Sequence, residues 1–239
     1  MLTMEWKKSK RTGFIPSFLG GALLTGLIPI LYMAFISEID TNLDINPLHV
    51  LLDANWQMMA MLKVSLIVVG ACLLYYVESS DNALQKMQSL PIKDENLFFA
   101  KFLLISLIYL GVLVMEAIGL GFSSVFWFLE YPDLPMELVK NIGYMFMLSL
   151  PAIVLALLIA SFFTNIWIAL GLGMIGIFLA TQLSNQNVIL ASFPFNLPFQ
   201  TMHGTDAAAP DTLIWVALIE TVVLLVIQKV SVSMRRYFR

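Results

Sequence analysis

The sequence predicts an all-α integral membrane protein whose six spanning helices form one domain over residues 1–239. Apolar residues make up 59% of the chain, charged residues make up 12%, and the mean hydropathy is +0.86. A soluble domain carries about 25% charged residues, so this polar surface is too small to cover a water-soluble globule. The apolar residues also fall into runs of about 20, the length that crosses a bilayer as a helix.

The six predicted spans follow these runs in order along the chain. The first run is too long for the apolar part of a cleaved signal and no small-residue cleavage site follows it, so it is predicted to be a span. Only Thr164 and Asn165 separate spans four and five. The predicted spans are Phe14–Ile36, Gln57–Val77, Leu97–Phe122, Val139–Phe163, Ile166–Leu183 and Thr212–Val230.

Basic residues predict the orientation. They cluster in the N-terminal segment, in the loop between spans two and three and in the C-terminal segment, which six spans place on one face. Loops with an excess of Lys and Arg are typically cytoplasmic, so both termini are predicted to be cytoplasmic. The opposite loops are acidic, and Asp53 is assigned to the first of them. The clustered residues are Lys7, Lys8, Lys10, Arg11, Lys86, Lys93, Lys101, Lys229, Arg235, Arg236 and Arg239.

The last loop on the acidic face, Ser184 to Asp211, is unusually apolar. It contains NVILASFPFNLPFQTM, which is too short to span a bilayer and is interrupted by Pro194 and Pro198. Such a segment is expected to re-enter the membrane or to lie in its outer interface, because exposed Phe, Ile and Leu side chains favour lipid. A loose apolar loop is the alternative.

The sequence offers no signature of catalysis. It lacks the G-x-x-x-x-G-K-[ST] phosphate loop, H-E-x-x-H and G-x-S-x-G, and its one cysteine lies inside a span. The chain is therefore predicted not to be an enzyme and to hold no cofactor or metal. A membrane enzyme remains a minor hypothesis, which would rest on Glu116 and Glu220.

Away from the span ends, three charged residues, Lys63, Glu116 and Glu220, fall within the predicted spans. A charge near the bilayer centre costs roughly 2.5–3.5 kcal/mol on insertion scales, so such residues usually face the protein interior and have partners. Lys63 is expected either to extend to the outer interface or to pair with Glu116 on the next helix. Glu116 is expected either to be protonated or to form that pair. Glu220 either lines a substrate path or subunit interface, or is neutral and hydrogen-bonded. The three together are candidates for a polar substrate path.

The loop from Glu78 to Lys101 is the most charged stretch between two apolar runs and is predicted to face water. Its first part predicts a short helix, Ser79 to Leu90, with an apolar strip along one side and Pro91 after its end. This helix either docks on another protein or lies on lipid headgroups. The candidate contact residues are Glu78, Asp81, Leu84, Lys86, Met87, Leu90 and Pro91.

The segment YYVESSDNALQKMQSLPIKDENLFFAKF, residues 75–102, resembles the permease subunits of ABC-2-type transporters. It is most similar to the small permeases of lantibiotic-immunity and peptide-export systems of Gram-positive bacteria. The matching features are Glu78 at the end of span two, the pair Leu90-Pro91, and Phe99-Ala100-Lys101 at the start of span three. The six-span order and the proline-containing apolar segment before span six agree with the same family.

The resemblance implies a type V exporter-like permease in a bacterial plasma membrane. Residues 79–90 would be the coupling helix that docks on a separate ATPase, which binds ATP and Mg²⁺. A second permease chain, identical or related, would pack against spans one and five. The cargo would be an amphipathic peptide or a lipid-like molecule, and no nucleic-acid partner is expected. The family also carries an amphipathic N-terminal helix, for which Met1 to Thr12 is short.

A second hypothesis assigns the same loop a different use. The chain would then be a non-transporting membrane sensor or assembly protein that recruits a cytoplasmic partner through residues 78–101.

Overall fold

The computed structural model describes residues 2–9, 12–35, 46–80, 94–128, 131–163, 165–183, 188–202 and 209–237, and these residues are helical or irregular without a strand. Six of the helices are long and apolar enough to cross a membrane, namely α2 to α6 and α8, which confirms the predicted fold class. The helices are α1 (Leu2–Ser9), α2 (Phe14–Phe35), α3 (Pro47–Ser80), α4 (Asp94–Trp127), α5 (Leu134–Phe162), α6 (Ile166–Leu183), α7 (Val188–Ala191) and α8 (Pro210–Tyr237).

The spans alternate in direction, so the bundle has two chemically different ends. At the basic end α2 and α4 begin, and α3 and α8 end. At the acidic end lie the starts of α3, α5 and α8. These two names are kept below.

Helix α3 begins ten residues before the predicted start of span two. The amide of Leu48 donates a hydrogen bond to Asn46 Oδ1 at 3.0 Å, which caps the helix start ahead of Pro47. Leu48 and Leu51 are buried in a cluster with side chains of α2, α4 and α5. The prediction that Asp53 lies in a loop is therefore wrong, because the helical register places it on the exposed face of α3.

Helices α3, α4 and α5 form the centre of the bundle, and α6 and α8 lie at its periphery. Helix α2 packs most extensively against α4. Glycine makes this approach possible, since a Cβ added at Gly119 would lie 2.0 Å from the carbonyl oxygen of Gly26. The peripheral helices expose large apolar side chains, such as Trp167, Phe178 and Trp215, as suits a lipid-facing surface.

The charged loop is shorter than the sequence predicts. Helix α3 continues without interruption to Ser80, so Ser79 and Ser80 belong to it rather than to the start of a separate helix. Helix α4 begins at Asp94, and Lys101 is fully buried instead of facing water. The predicted contact residues from Asp81 to Pro91 lie outside the described residues.

The N-terminal segment forms a helix despite its shortness. Helix α1 packs against α4 at the basic end, with Glu5 and Ser9 buried and Met4 and Trp6 exposed. Gly13, which has a φ of +74°, lies in the turn between α1 and α2, where a left-handed conformation favours glycine. Helix α1 is therefore an amphipathic element folded onto the bundle.

Candidate functional site

A buried ion pair joins two central helices within the membrane-spanning region. Lys63 of α3 donates a hydrogen bond from Nζ to Glu116 Oε1 of α4 at 2.9 Å. Each side chain is only 2% exposed. Glu116 lies about three turns before the end of α4 at Trp127, and Lys63 lies more than four turns after the start of α3. We call these two residues the central pair.

The structure therefore decides between the two interpretations of Lys63. The side chain turns inward to Glu116, and the alternative in which it extends to the outer interface is wrong for this structure. Pairing explains why both residues occur inside spans, because an isolated charge at this depth would cost several kcal/mol. The mutual attraction offsets that cost, although removing either partner would leave a charge without compensation.

A small cavity lies beside the central pair. Its volume is about 10 Å³, which is the space for one water molecule and far less than an amphipathic substrate needs. The cavity is lined by Leu52, Trp56, Met59, Lys63, Glu116, Met145, Pro198, Phe199 and Thr201.

The irregular segment between α7 and α8 closes this cavity on one side. Residues 195–201, which we call the covering segment, are buried and contain a single 3₁₀ turn, Leu197–Phe199. The ring of Phe199 meets that of Trp56 edge to face, with centroids 6.4 Å apart. The segment was predicted to re-enter the membrane or to lie in its outer interface, and its 3₁₀ turn packs against α3 and α5 of the protein.

A glycine in α6 leaves the space into which the covering segment packs. A Cβ added at Gly176 would lie 2.6 Å from the ring of Phe195, so only glycine leaves room for that ring. Asn196 Nδ2 donates to the carbonyl oxygen of Leu190 at 3.0 Å and holds the turn together. Non-helical backbone at membrane depth is tolerated where protein buries it, and this segment meets that condition.

A second polar contact lies deeper between α4 and α5. The hydroxyl oxygens of Tyr109 and Ser149 are 2.7 Å apart. Ser149 donates to the carbonyl oxygen of Met145, also at 2.7 Å, so Tyr109 is the donor between the two hydroxyls. Tyr109 lies two turns from Glu116 on the same face of α4. This contact was not predicted, because an isolated Tyr or Ser in a span gives no sequence signal.

A different ion pair holds α1 at the basic end, and we call it the basic-end pair. Lys101 Nζ donates to Glu5 Oε2 at 2.7 Å and approaches the carbonyl oxygen of Leu74 at 3.5 Å. Lys8 donates to the other oxygen of Glu5 at 3.0 Å. Burial alone would raise the pKa of Glu5, but the attraction of Lys101 and the hydrogen bonds from both lysines outweigh it and lower the pKa.

Sequence reasoning missed the basic-end pair. Glu5 is the one acidic residue among the basic residues of the N-terminal segment. Its isolation was the sequence signal that could have indicated an ion pair. Of the predicted residues, Glu78 lies in the last turns of α3. Glu220 lies on α8, is partly buried and does not border the cavity of the central pair. The structure brings Lys63 and Glu116 together and leaves Glu220 apart.

Comparison with known protein families gives a match over most of the chain. Residues 1–180 match the family described as ABC-2 family transporter protein. No curated protein and no solved structure matches the chain. The matched residues contain α1 to α5 and most of α6, and therefore both ion pairs and the loop between α3 and α4. Because the match covers about three quarters of the 239 residues, the chain belongs to the ABC-2 family of transporter proteins.

Proposed function

We propose that this chain is the membrane-spanning permease subunit of an ATP-driven ABC exporter. The cargo is an amphipathic peptide, of the antimicrobial, lantibiotic-like or secreted kind, or a lipid-like molecule, and it moves out of the membrane or cell. The observation that carries the proposal is the family match over residues 1–180 in a chain with six spanning helices.

A separate cytoplasmic ATPase supplies the energy in this proposal. The sequence has no phosphate loop, so the partner binds ATP and Mg²⁺. The ATPase docks on the loop that joins α3 to α4, and these are the two helices that carry the central pair. The proposed docking residues are Glu78, Asp81, Leu84, Lys86, Met87, Leu90 and Pro91.

A second permease chain completes the translocation unit, as a homodimer or a heterodimer. We place it against α2 and α6, the first and fifth spans. Both helices expose large apolar residues, among them Leu23 and Leu27 on α2 and Ile175 on α6. The chain lies in a bacterial plasma membrane with both termini in the cytoplasm, an orientation supported by the positive charge of the basic end.

The first test is purification of the tagged chain in mild detergent from its native cells, followed by mass spectrometry. The proposal predicts a small ATPase in stoichiometric amount, with the second permease chain beside it if the dimer is heteromeric. Recovery of a kinase or a protease in place of an ATPase would favour the sensor hypothesis.

The second test measures coupling in the purified complex. Charge reversal at Asp81 and Lys86, or replacement of Leu84 and Met87 by Asp, should abolish cargo-stimulated ATP hydrolysis by weakening the docking contact. A matched control is Asp53→Lys, which reverses an exposed charge on α3 at the acidic end. Unchanged stimulation in the loop variants would contradict the assigned docking site.

A further inference from the structure

The central pair has unused hydrogen-bonding capacity. Glu116 Oε1 accepts from Lys63, but its Oε2 is buried without a hydrogen-bond partner among the described residues. A lysine ammonium has three donors, and Lys63 donates one of them to Glu116. A buried carboxylate oxygen without a partner is costly in an apolar interior. The pair is therefore incomplete, and both of its residues line the small cavity.

The covering segment separates this incomplete site from the acidic end of the bundle. It belongs to the connection between α6 and α8, and its regular structure is one 3₁₀ turn of three residues. Its contacts with the bundle include the packing of the Phe199 ring on Trp56 and of the Phe195 ring over Gly176. It can therefore leave the cavity without unwinding a spanning helix. Its departure would enlarge the cavity at the central pair.

The charges of the central pair restrict what can bind there. A cation alone would neutralise Glu116 but would be repelled by Lys63. An anion alone would neutralise Lys63 but would be repelled by Glu116. A group that carries both signs can place its anion at Lys63 and its ammonium at Glu116, and it adds no net charge to the membrane interior. Zwitterionic headgroups and adjacent acidic and basic groups of a peptide share this chemistry.

Resting on the function proposed above, we propose that Lys63 and Glu116 bind a zwitterionic group of the transported molecule. The anionic part of that group contacts Lys63 Nζ, and its ammonium contacts Glu116 Oε2. The covering segment closes the site between turnovers. This assigns the cargo a class: an apolar body with both charges close together.

Trp56 provides a direct readout of occupancy, because its ring borders both the cavity and Phe199. The probes are three brominated lysolipids with one acyl chain and different headgroups: zwitterionic phosphoethanolamine, anionic phosphoglycerol, and a cationic trimethylammonium. The protein is the full chain in nanodiscs, with Trp56 retained and Trp6, Trp127, Trp167 and Trp215 changed to Phe. Bromine quenches tryptophan on contact, so the titration reports arrival at the cavity without requiring an ATPase.

The zwitterionic lysolipid should quench Trp56 at a concentration about tenfold lower than either singly charged probe, which corresponds to one charged hydrogen bond. The double variant Lys63→Met with Glu116→Leu should remove this preference. A control chain that retains Trp215, an exposed residue of α8, should be quenched equally by all three probes. This control measures simple partitioning into the bilayer.

Equal quenching of Trp56 by the three headgroups would overturn the proposal, and so would a preference that persists in the double variant. If the double variant fails to fold, the comparison of the three probes on the chain with Lys63 and Glu116 intact decides the question. A brominated amphipathic peptide with one adjacent Lys–Glu pair, compared with its all-Lys analogue, distinguishes a peptide source from a lipid source. A headgroup preference without a co-purifying ATPase would sustain the site while rejecting the proposed function.

Discussion

The two buried ion pairs found among the described residues differ in how completely their carboxylates are hydrogen-bonded. Glu5 uses both oxygens, one with Lys101 and one with Lys8. Glu116 uses one oxygen with Lys63 and leaves the other without a partner among the described residues. The first arrangement is what docking of a terminal helix requires. The second lies beside a cavity and under a non-helical segment, and its unpartnered oxygen supports the binding site proposed above.

The largest expected effect comes from breaking the central pair on one side. Glu116→Leu leaves Lys63 charged within the membrane interior and should lower the unfolding free energy by about 3–5 kcal/mol. The double variant Lys63→Met with Glu116→Leu should recover most of this loss, because similar-sized apolar residues replace both charges. Unfolding in mixed micelles measures both. A double variant that loses as much as the sum of the two single variants would show that the pair is not coupled.

Breaking the basic-end pair should cost less, because Lys101 lies near the membrane surface and regains water when α1 detaches. Glu5→Gln is expected to cost about 1.5–3 kcal/mol, the range of hydrogen bonds to charged groups. Hydrogen exchange of the α1 amides should accelerate in this variant. Lys8→Met is the control. It removes a partly exposed contact on the same helix and should change stability by less than about 0.5 kcal/mol. Equal effects of the two changes would contradict the assigned role of Lys101.

The close contact between α2 and α4 at Gly119 lies about one turn from Glu116 and fixes the position of Glu116. Gly119→Ala should destabilise by about 1–3 kcal/mol, because the added Cβ would meet the backbone of Gly26. Gly111→Ala, on an exposed face of the same helix with nothing within 4 Å, should have little effect. Thermal unfolding of the two variants checks this difference, and a neutral Gly119→Ala would mean that the helices can separate freely.

Acidity should affect the basic-end pair through Glu5. The pKa of Glu5 is lowered from 4.5 in the folded chain. Its contribution to α1 docking is therefore complete above the ordinary glutamate pKa and is lost as pH falls through the lower folded-state pKa. Fluorescence of a chain that retains only Trp6 should report release of α1 as the pH falls below the ordinary glutamate pKa. Glu5→Gln should abolish this transition, and a transition that survives the substitution would assign it to another group.

The sequence predicted the fold class well because bilayer length and hydropathy constrain spanning helices strongly. Helix ends were less predictable. The segment from Pro47 to Trp56 contains polar residues, yet the capping by Asn46 and the burial of Leu48 and Leu51 extend α3 through it. The covering segment shows a similar limit. Its composition predicted burial, but burial in protein rather than in lipid depends on the space that Gly176 leaves for Phe195.

The candidate site was predictable only in part. Lys63 and Glu116 stood out because charges are rare in spans, but their contact depends on the relative rotation of α3 and α4. The basic-end pair joins residues 96 positions apart, and no local pattern connects them. The coupling residues from Asp81 to Pro91 remain a prediction from the resemblance, and Glu220 remains a candidate without an assigned partner.

The most direct test of the contrast between the two pairs is ATP hydrolysis by the permease–ATPase complex in nanodiscs, with and without the zwitterionic lysolipid. The account predicts that the lysolipid raises the hydrolysis rate of the wild-type complex. In the Lys63→Met/Glu116→Leu complex the ratio of stimulated to unstimulated rates should fall to about one, because a charged hydrogen bond to the cargo is lost. A ratio that matches the wild type would contradict the account and make the central pair a structural contact like the basic-end pair.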